Sequence, residues 1–217
     1  MQNVQYCRSY EEYQRLAEND MKQGREPLRR EVLDGAIHIT SMATKKHQNI
    51  VANLREILGN FIKSKQTKCD VIIAPFDVRL NYGKKSKENE SDEIVQPDVL
   101  VSCSDKIIDG KFLAGAPEVV FEVLSENRRY DKVKKMAKYE EYGVKEYFIV
   151  DQFTDEIKYY NFMDENDVIE KNYKEKDDMV FIETMDYSIK LSDIFGETSG
   201  WLLDLLENKE FIENLKR

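Results

Sequence analysis

Histidine and cysteine are scarce in this chain of 217 residues. There are two histidines, His38 and His47, and three cysteines, Cys7, Cys69 and Cys103. Two histidines rule out a histidine-rich metal centre, so any site for a hard ion has to be built from carboxylates. The cysteines are far apart and odd in number, and they match no zinc spacing and no disulfide framework. They are expected to be reduced, structural thiols.

Long apolar runs are also missing. None approaches the roughly 18–20 residues of a membrane span. The first residues, "MQNVQYCRSYEEYQRL", lack the apolar stretch of a signal peptide, so a cytoplasmic location is expected. No internal repeat and no long Gly/Ser/Pro linker divides the chain. With 41% hydrophobic residues, one domain over 1–217 can bury a substantial core. The net charge of −9 argues against coating nucleic acid through bulk charge, so local charge has to be read segment by segment.

The elements follow from pattern. Ser9 is an N-cap candidate for a helix to about Lys22, with Glu12 at the capping-box position. Asp34-Gly35, between apolar residues, signals a hairpin within 29–40. Ile50, Leu54, Ile57, Leu58 and Phe61 recur at helical spacing over 45–63. Residues 69–80 read as one or two strands, 81–93 as a mobile polar loop, 96–103 as a strand and 105–116 as a connecting loop. Residues 117–125 read as a strand buried on both faces, and 128–143 as a helix that Gly143 can end. Strands follow at 144–151, 156–162 and 178–184, the last two flanking a mixed-charge stretch. An amphipathic helix over about 198–216 closes the chain. The order describes an α/β (α+β) domain with a mixed sheet, its core over about 29–162.

Two acids stand out. Asp98 follows Pro97 at the head of an apolar strand. Glu122 interrupts the apolar run "PEVVFEVLS", where burial is costly unless the carboxylate is paired or holds a metal. On neighbouring strands the two would converge and make a compact oxygen site for Mg²⁺ or a similar ion. The plainer alternatives are a turn acceptor for Asp98 and a structural ion pair for Glu122. The helix after Glu122 carries Arg128, Arg129, Lys132, Lys134, Lys135 and Lys138, with Asp131 the one acid there. Such a cluster supplies the positive field a phosphate backbone needs, or simply a solvated face. Val133, Met136 and Ala137 mark its buried side, which leaves Lys135 on the flank with a stem long enough to reach Glu122.

The blocks "REVLDGAIHI", "HQNIVANL", "APFDVRL", "QPDVLV", "GAPEVVFEVLS" and "RRYDKVKKMAKYEEYGVKEYFIVD" run in order from 30 to 151. In these blocks the chain resembles the PD-(D/E)xK nuclease superfamily, and within it the Uma-two family of restriction-endonuclease-like proteins. The resemblance implies a mixed sheet flanked by helices and a metal-dependent phosphodiesterase site. Pro97-Asp98 matches the PD element and Glu122 the acid of (D/E)xK. The lysine expected two residues later is absent, since Leu124 stands there. The family's helical pattern is met instead by Asp131, Lys135 and Tyr139, which makes Lys135 the candidate lysine.

The resemblance further implies that Asp98 and Glu122, with the Val123 carbonyl, hold Mg²⁺ or Mn²⁺. Glu31 matches a family glutamate and is a further ligand, a water-positioner or an ordinary strand acid. His47 matches a family histidine that binds phosphate or orders its helix. Arg128, Arg129 and Lys132 would hold flanking phosphates, and Gln96 and Ser125 would line the site. Ala36 departs from the family, which often has an acid there; its place beside the turn implies little effect on chemistry. The function implied is hydrolysis of a nucleic-acid phosphodiester, expected in DNA, by an endonuclease able to dimerise. The rival is a non-catalytic interaction protein that keeps the fold and a buried Glu122–Lys135 ion pair.

Overall fold

The structure, a computed structural model, describes residues 5–24, 29–39, 43–84, 90–103, 106–125, 129–164 and 169–196, with the backbone alone at 129–133. The expected C-terminal helix over 198–216, Arg128, and the side chains of Arg129, Asp131, Lys132 and Val133 lie outside the described residues.

Helix α1 (Tyr10–Lys22) starts where expected, with Ser9 Oγ accepting from the Glu12 N–H at 3.2 Å. Glu12 reaches back one residue beyond the cap, accepting from the Arg8 N–H at 2.7 Å. Strands β1 (Arg30–Leu33) and β2 (Ala36–Ile39) form the hairpin around Asp34-Gly35. Both turn residues have positive φ, 51° and 76°, which Asp and Gly tolerate best. Helix α2 (Lys45–Lys65) follows, capped by Thr44. Residues 69–80 resolve into β3 (Asp70–Ile73) and β4 (Asp77–Arg79), on either side of a cis Ala74–Pro75 bond. Next come β5 (Ile94–Val95), β6 (Val99–Ser102), β7 (Ile107–Ile108), β8 (Phe112–Ala114) and β9 (Val119–Val123). Helix α3 (Arg129–Tyr142) leads to β10 (Glu146–Asp151), β11 (Glu156–Asn161), β12 (Ile169–Tyr173), β13 (Met179–Ile182), β14 (Tyr187–Lys190) and α4 (Leu191–Phe195).

Two six-stranded mixed sheets result. One has the order β2-β1-β5-β4-β8-β7, the other β12-β11-β10-β9-β6-β3. The chain passes from the first to the second through Gln96-Pro97-Asp98. It passes the other way through Ala74-Pro75-Phe76, and the Ala74 N–H donates to the Asp98 carbonyl at 3.2 Å, so the passages lie side by side. In β9 the side chains alternate between faces. Val119, Phe121 and Val123 join Ile50, Leu54 and Leu58 of α2 in one core. Val120 faces the other way, into a core with Val78 and Leu80 of the first-sheet side and Tyr139 of α3. Glu122 shares that second face, which aims it between the sheets.

Four expectations need correction. The first is that both connections contain strands: 105–116 holds the β7–β8 hairpin, whose strands of two and three residues carry no periodicity, and the mixed-charge stretch holds β12, whose mostly exposed residues give no apolar alternation. The end of the 81–93 loop is anchored: Asp92 and Glu93 are buried, and Glu93 accepts from the Asp34 N–H. On α3 Ala137 is exposed, while Lys135 itself belongs to the buried face with Tyr139.

The fourth correction concerns the thiols. Cys69 and Cys103 form a disulfide, because β3 pairs with β6 with Asp70 opposite Ser102 and the cysteines stand one step beyond. Cys7 is free and buried. Thiol titration of denatured, unreduced protein should find one reactive cysteine per chain, Cys7. A count of three, the full complement, would contradict the pairing.

Candidate active site at the junction of the two sheets

The antiparallel β6–β9 ladder sets Val99 opposite Phe121, so Asp98 comes opposite Glu122 one step further. Glu31 enters from β1. All three acids are buried, with 2–6% of their surface exposed. Unpaired, such a cluster would be prohibitive. Lys135 resolves most of it: its Nζ, on a side chain 4% exposed, lies 2.7 Å from Glu122 Oε1 and 2.7 Å from Glu31 Oε1. The amine therefore arrives from α3 at the acid whose own strand has Leu124 in the lysine position.

Each carboxylate has further donors. Tyr139 OH donates to Glu122 Oε1 at 2.7 Å, and the Gln96 N–H donates to Glu31 Oε1 at 2.9 Å. Asp98 Oδ2 accepts from the Val123 N–H at 2.9 Å and lies 3.2 Å from His47 Nε2, in the first turn of α2. Arg29 Nη1 donates to Asp98 Oδ1 at 3.0 Å, and Nη2 donates to the Gln96 carbonyl. Gln152 braces the rim: Thr44, the α2 cap, donates to its Oε1 at 2.6 Å, and its Nε2 donates to the Leu124 carbonyl at 2.5 Å.

Sequence reasoning missed Arg29 and Gln152. Their partners are distant in the chain, and no local pattern marks either. The only signal was that Arg29 adjoins the hairpin block already singled out. Of the residues it named, Glu31, His47, Gln96, Asp98, Glu122 and Lys135 are brought together here. Ala36 pairs with Leu33 at the hairpin turn and bridges to Tyr6.

The charges respond to this setting. Burial pushes the Glu122 carboxyl up, and the nearby Asp98 and Glu31 add to this, so it stays above its usual value despite Lys135. Burial also acts against charged Glu31, but the charge and hydrogen bond of Lys135 outweigh it and the net direction is down. Burial disfavours the Lys135 ammonium, yet Glu122 and Glu31 more than compensate and hold its pKa up. For Asp98, burial is outweighed by the His47 hydrogen bond and the Arg29 charge, and its carboxyl lies well below the usual range.

The Asp98 shift has a measurable consequence. A lowered carboxyl stabilises the fold fully above its unfolded value, about 3.9, and that stability is lost as pH falls through the lowered folded value. Acid titration followed by circular dichroism should show a shallower loss below about pH 4 in Asp98→Asn than in the unmodified chain. Equal slopes would mean that the Asp98 ion pairs contribute nothing.

Hard divalent ions take oxygen ligands, which this site has in its three carboxylates. Among the described residues no group of three or more His, Cys, Asp or Glu side chains is arranged to hold a metal. The same oxygens are instead satisfied by Arg29, His47, Lys135 and Tyr139. Room for a ligand nevertheless exists. Both donors to Glu122 fall on Oε1, and among the described residues none is bonded to Oε2. The N–H of Val123 points at Asp98, and a strand residue's carbonyl points the same way as its N–H. Arg29 Nε, His47 Nδ1, Gln96 Oε1, Ser125 Oγ and Tyr147 OH are buried without a hydrogen-bond partner among the described residues. Such atoms call for water or a ligand. The donor types thus fit a divalent ion.

The family model Uma2, described as "Putative restriction endonuclease", matches residues 10–192. A crystal structure described as a "putative nuclease belonging to DUF820" from Anabaena variabilis ATCC 29413 superposes with a TM-score of 0.61. It is 18% identical, with 76% of this chain and 89% of that chain covered, and so shares the fold. No curated protein matches.

Proposed function

This chain belongs to the Uma2 family of restriction-endonuclease-like proteins, and from that premise we propose that it is a metal-dependent endonuclease, acting on DNA. The observation that carries this reading is the Lys135 ammonium, which reaches Glu122 from the next helix while Asp98 stands at the head of the adjoining strand. It restores, from a different part of the chain, the acid–acid–lysine set that Leu124 interrupts.

In this reading Asp98, Glu122 and the Val123 carbonyl hold Mg²⁺ or Mn²⁺. The ion, when bound, lowers the pKa of water and stabilises charge on the phosphate. Lys135 orients the attacking water and neutralises developing charge, which a buried ammonium does more strongly than one in water. Glu31 holds that ammonium in place and is a candidate further ligand. His47 keeps Asp98 oriented and ionised and offers its other nitrogen to a phosphate. Arg128, Arg129 and Lys132, which precede Lys135 by three to seven positions in the sequence, contact flanking phosphates without reading sequence. A dimer would place two such sites on one duplex.

The rival reading, a non-catalytic protein with a relic ion pair, is favoured by one observation: the carboxylates are already neutralised by Lys135 and Arg29. Incubating the purified chain with plasmid DNA, single-stranded DNA and RNA, in Mg²⁺, Mn²⁺ or EDTA, separates the two. Cleavage of DNA that needs metal and disappears in Glu122→Ala and Lys135→Ala is expected. No cleavage of any nucleic acid, or cleavage unaffected by EDTA, would overturn the proposal.

A further inference from the structure

Asp98 already has a cation of the chain on it. The Arg29 guanidinium spans the passage between the sheets, with Nη1 on Asp98 Oδ1 and Nη2 on the Gln96 carbonyl. It differs from Lys135 in how firmly it is held. The Lys135 side chain is 4% exposed and is tied to two carboxylates. The Arg29 side chain is 21% exposed and is tied to one carboxylate and one carbonyl. Its Nε has no hydrogen-bond partner among the described residues. Of the two cations at the site, Arg29 is therefore the one with a path to solvent and the weaker hold.

A divalent ion binding Asp98 Oδ1 competes with the guanidinium already there, because their like charges repel at close range. We infer that Arg29 is a resident counter-ion which a divalent metal must displace from Asp98, and whose freed guanidinium then takes a nucleic-acid phosphate. Metal and nucleic acid consequently load the site cooperatively. The inference rests on the metal-dependent reading above and adds a regulation of that site. A guanidinium matches phosphate bidentately, so the substrate offers Arg29 a better partner than bulk water. Because binding free energies are reciprocal, whatever phosphate adds to metal affinity, metal adds to nucleic-acid affinity.

The test is calorimetric titration of Mn²⁺ into the full chain. It is run alone and with a duplex DNA oligonucleotide carrying phosphorothioate linkages to resist cleavage. Arg29→Gln, which removes the competing charge, should bind Mn²⁺ about tenfold more tightly than the unmodified chain without DNA, within the usual range of site coupling. It should also gain less from DNA. Arg29→Lys keeps the charge but loses the two-point grip, and should fall between the two; it serves as the readout if Arg29→Gln folds poorly by circular dichroism. Mn²⁺ binding that is no tighter in either variant, with cleavage by the unmodified chain intact, would overturn this inference alone. No Mn²⁺ binding by any of the three proteins would overturn it together with the nuclease reading.

Discussion

Replacing Lys135 with methionine should lower stability by about 3–5 kcal/mol, the usual cost of removing one partner from a buried ion pair. For a chain of this size that is a fall in melting temperature of roughly 6–20 °C. The cause is local. Glu31 and Glu122 share the one Nζ at 2.7 Å each, so its loss takes from both buried carboxylates the ammonium that touches them. Thermal denaturation of a rescue variant tells a structural tie from a chemical one. Adding Glu31→Gln and Glu122→Gln to Lys135→Met removes the orphaned charges, and most of the lost stability should return. Metal-dependent cleavage should not return. A melting temperature unchanged by Lys135→Met would mean that the ammonium does not hold these acids.

Glu122→Gln should have the opposite signature. The amide keeps the shape of the side chain, and its oxygen can still accept from Tyr139 OH. Lys135 retains Glu31. Since burial, with Asp98 and Glu31 nearby, already disfavours the ionised form of Glu122, the neutral amide should leave stability at neutral pH unchanged or slightly higher. Cleavage should nevertheless fall by at least about a hundredfold, the scale seen when one group that stabilises a transition state is removed. A quantitative plasmid-nicking assay beside a melting curve reads both effects. A variant that is stable but inactive places Glu122 in the chemistry. One that is destabilised and equally active would make it a structural acid, as the rival reading requires.

Much of this site was legible in the sequence because its parts sit in strong local patterns. Glu122 is conspicuous inside five consecutive buried strand positions. Asp98 stands out because proline fixes its strand entry. Lys135 came from the family's helical pattern of Asp131, Lys135 and Tyr139, whereas helical spacing alone put it on the flank of α3 and not on its buried face. What was not legible depends on long-range register. Arg29 meets Asp98 across 69 residues, and Gln152 meets Thr44 across 108. The Cys69–Cys103 bond exists only because β3 and β6 pair as they do, which no spacing rule encodes. Ala137 was misplaced because small apolar residues are tolerated on either face of a helix, whereas the buried Lys135 is tolerated only because two acids from other elements meet it.

Asp98 and Glu122 are proposed to hold a divalent ion. Anomalous diffraction from crystals grown in Mn²⁺ tests it most directly. The predicted result is a manganese peak bounded by Asp98, Glu122 and the Val123 carbonyl, with Arg29 withdrawn from Asp98 and Lys135 still beside Glu122. Crystals with no peak between the two acids, and with Arg29 still seated on Asp98 at millimolar Mn²⁺, would contradict it.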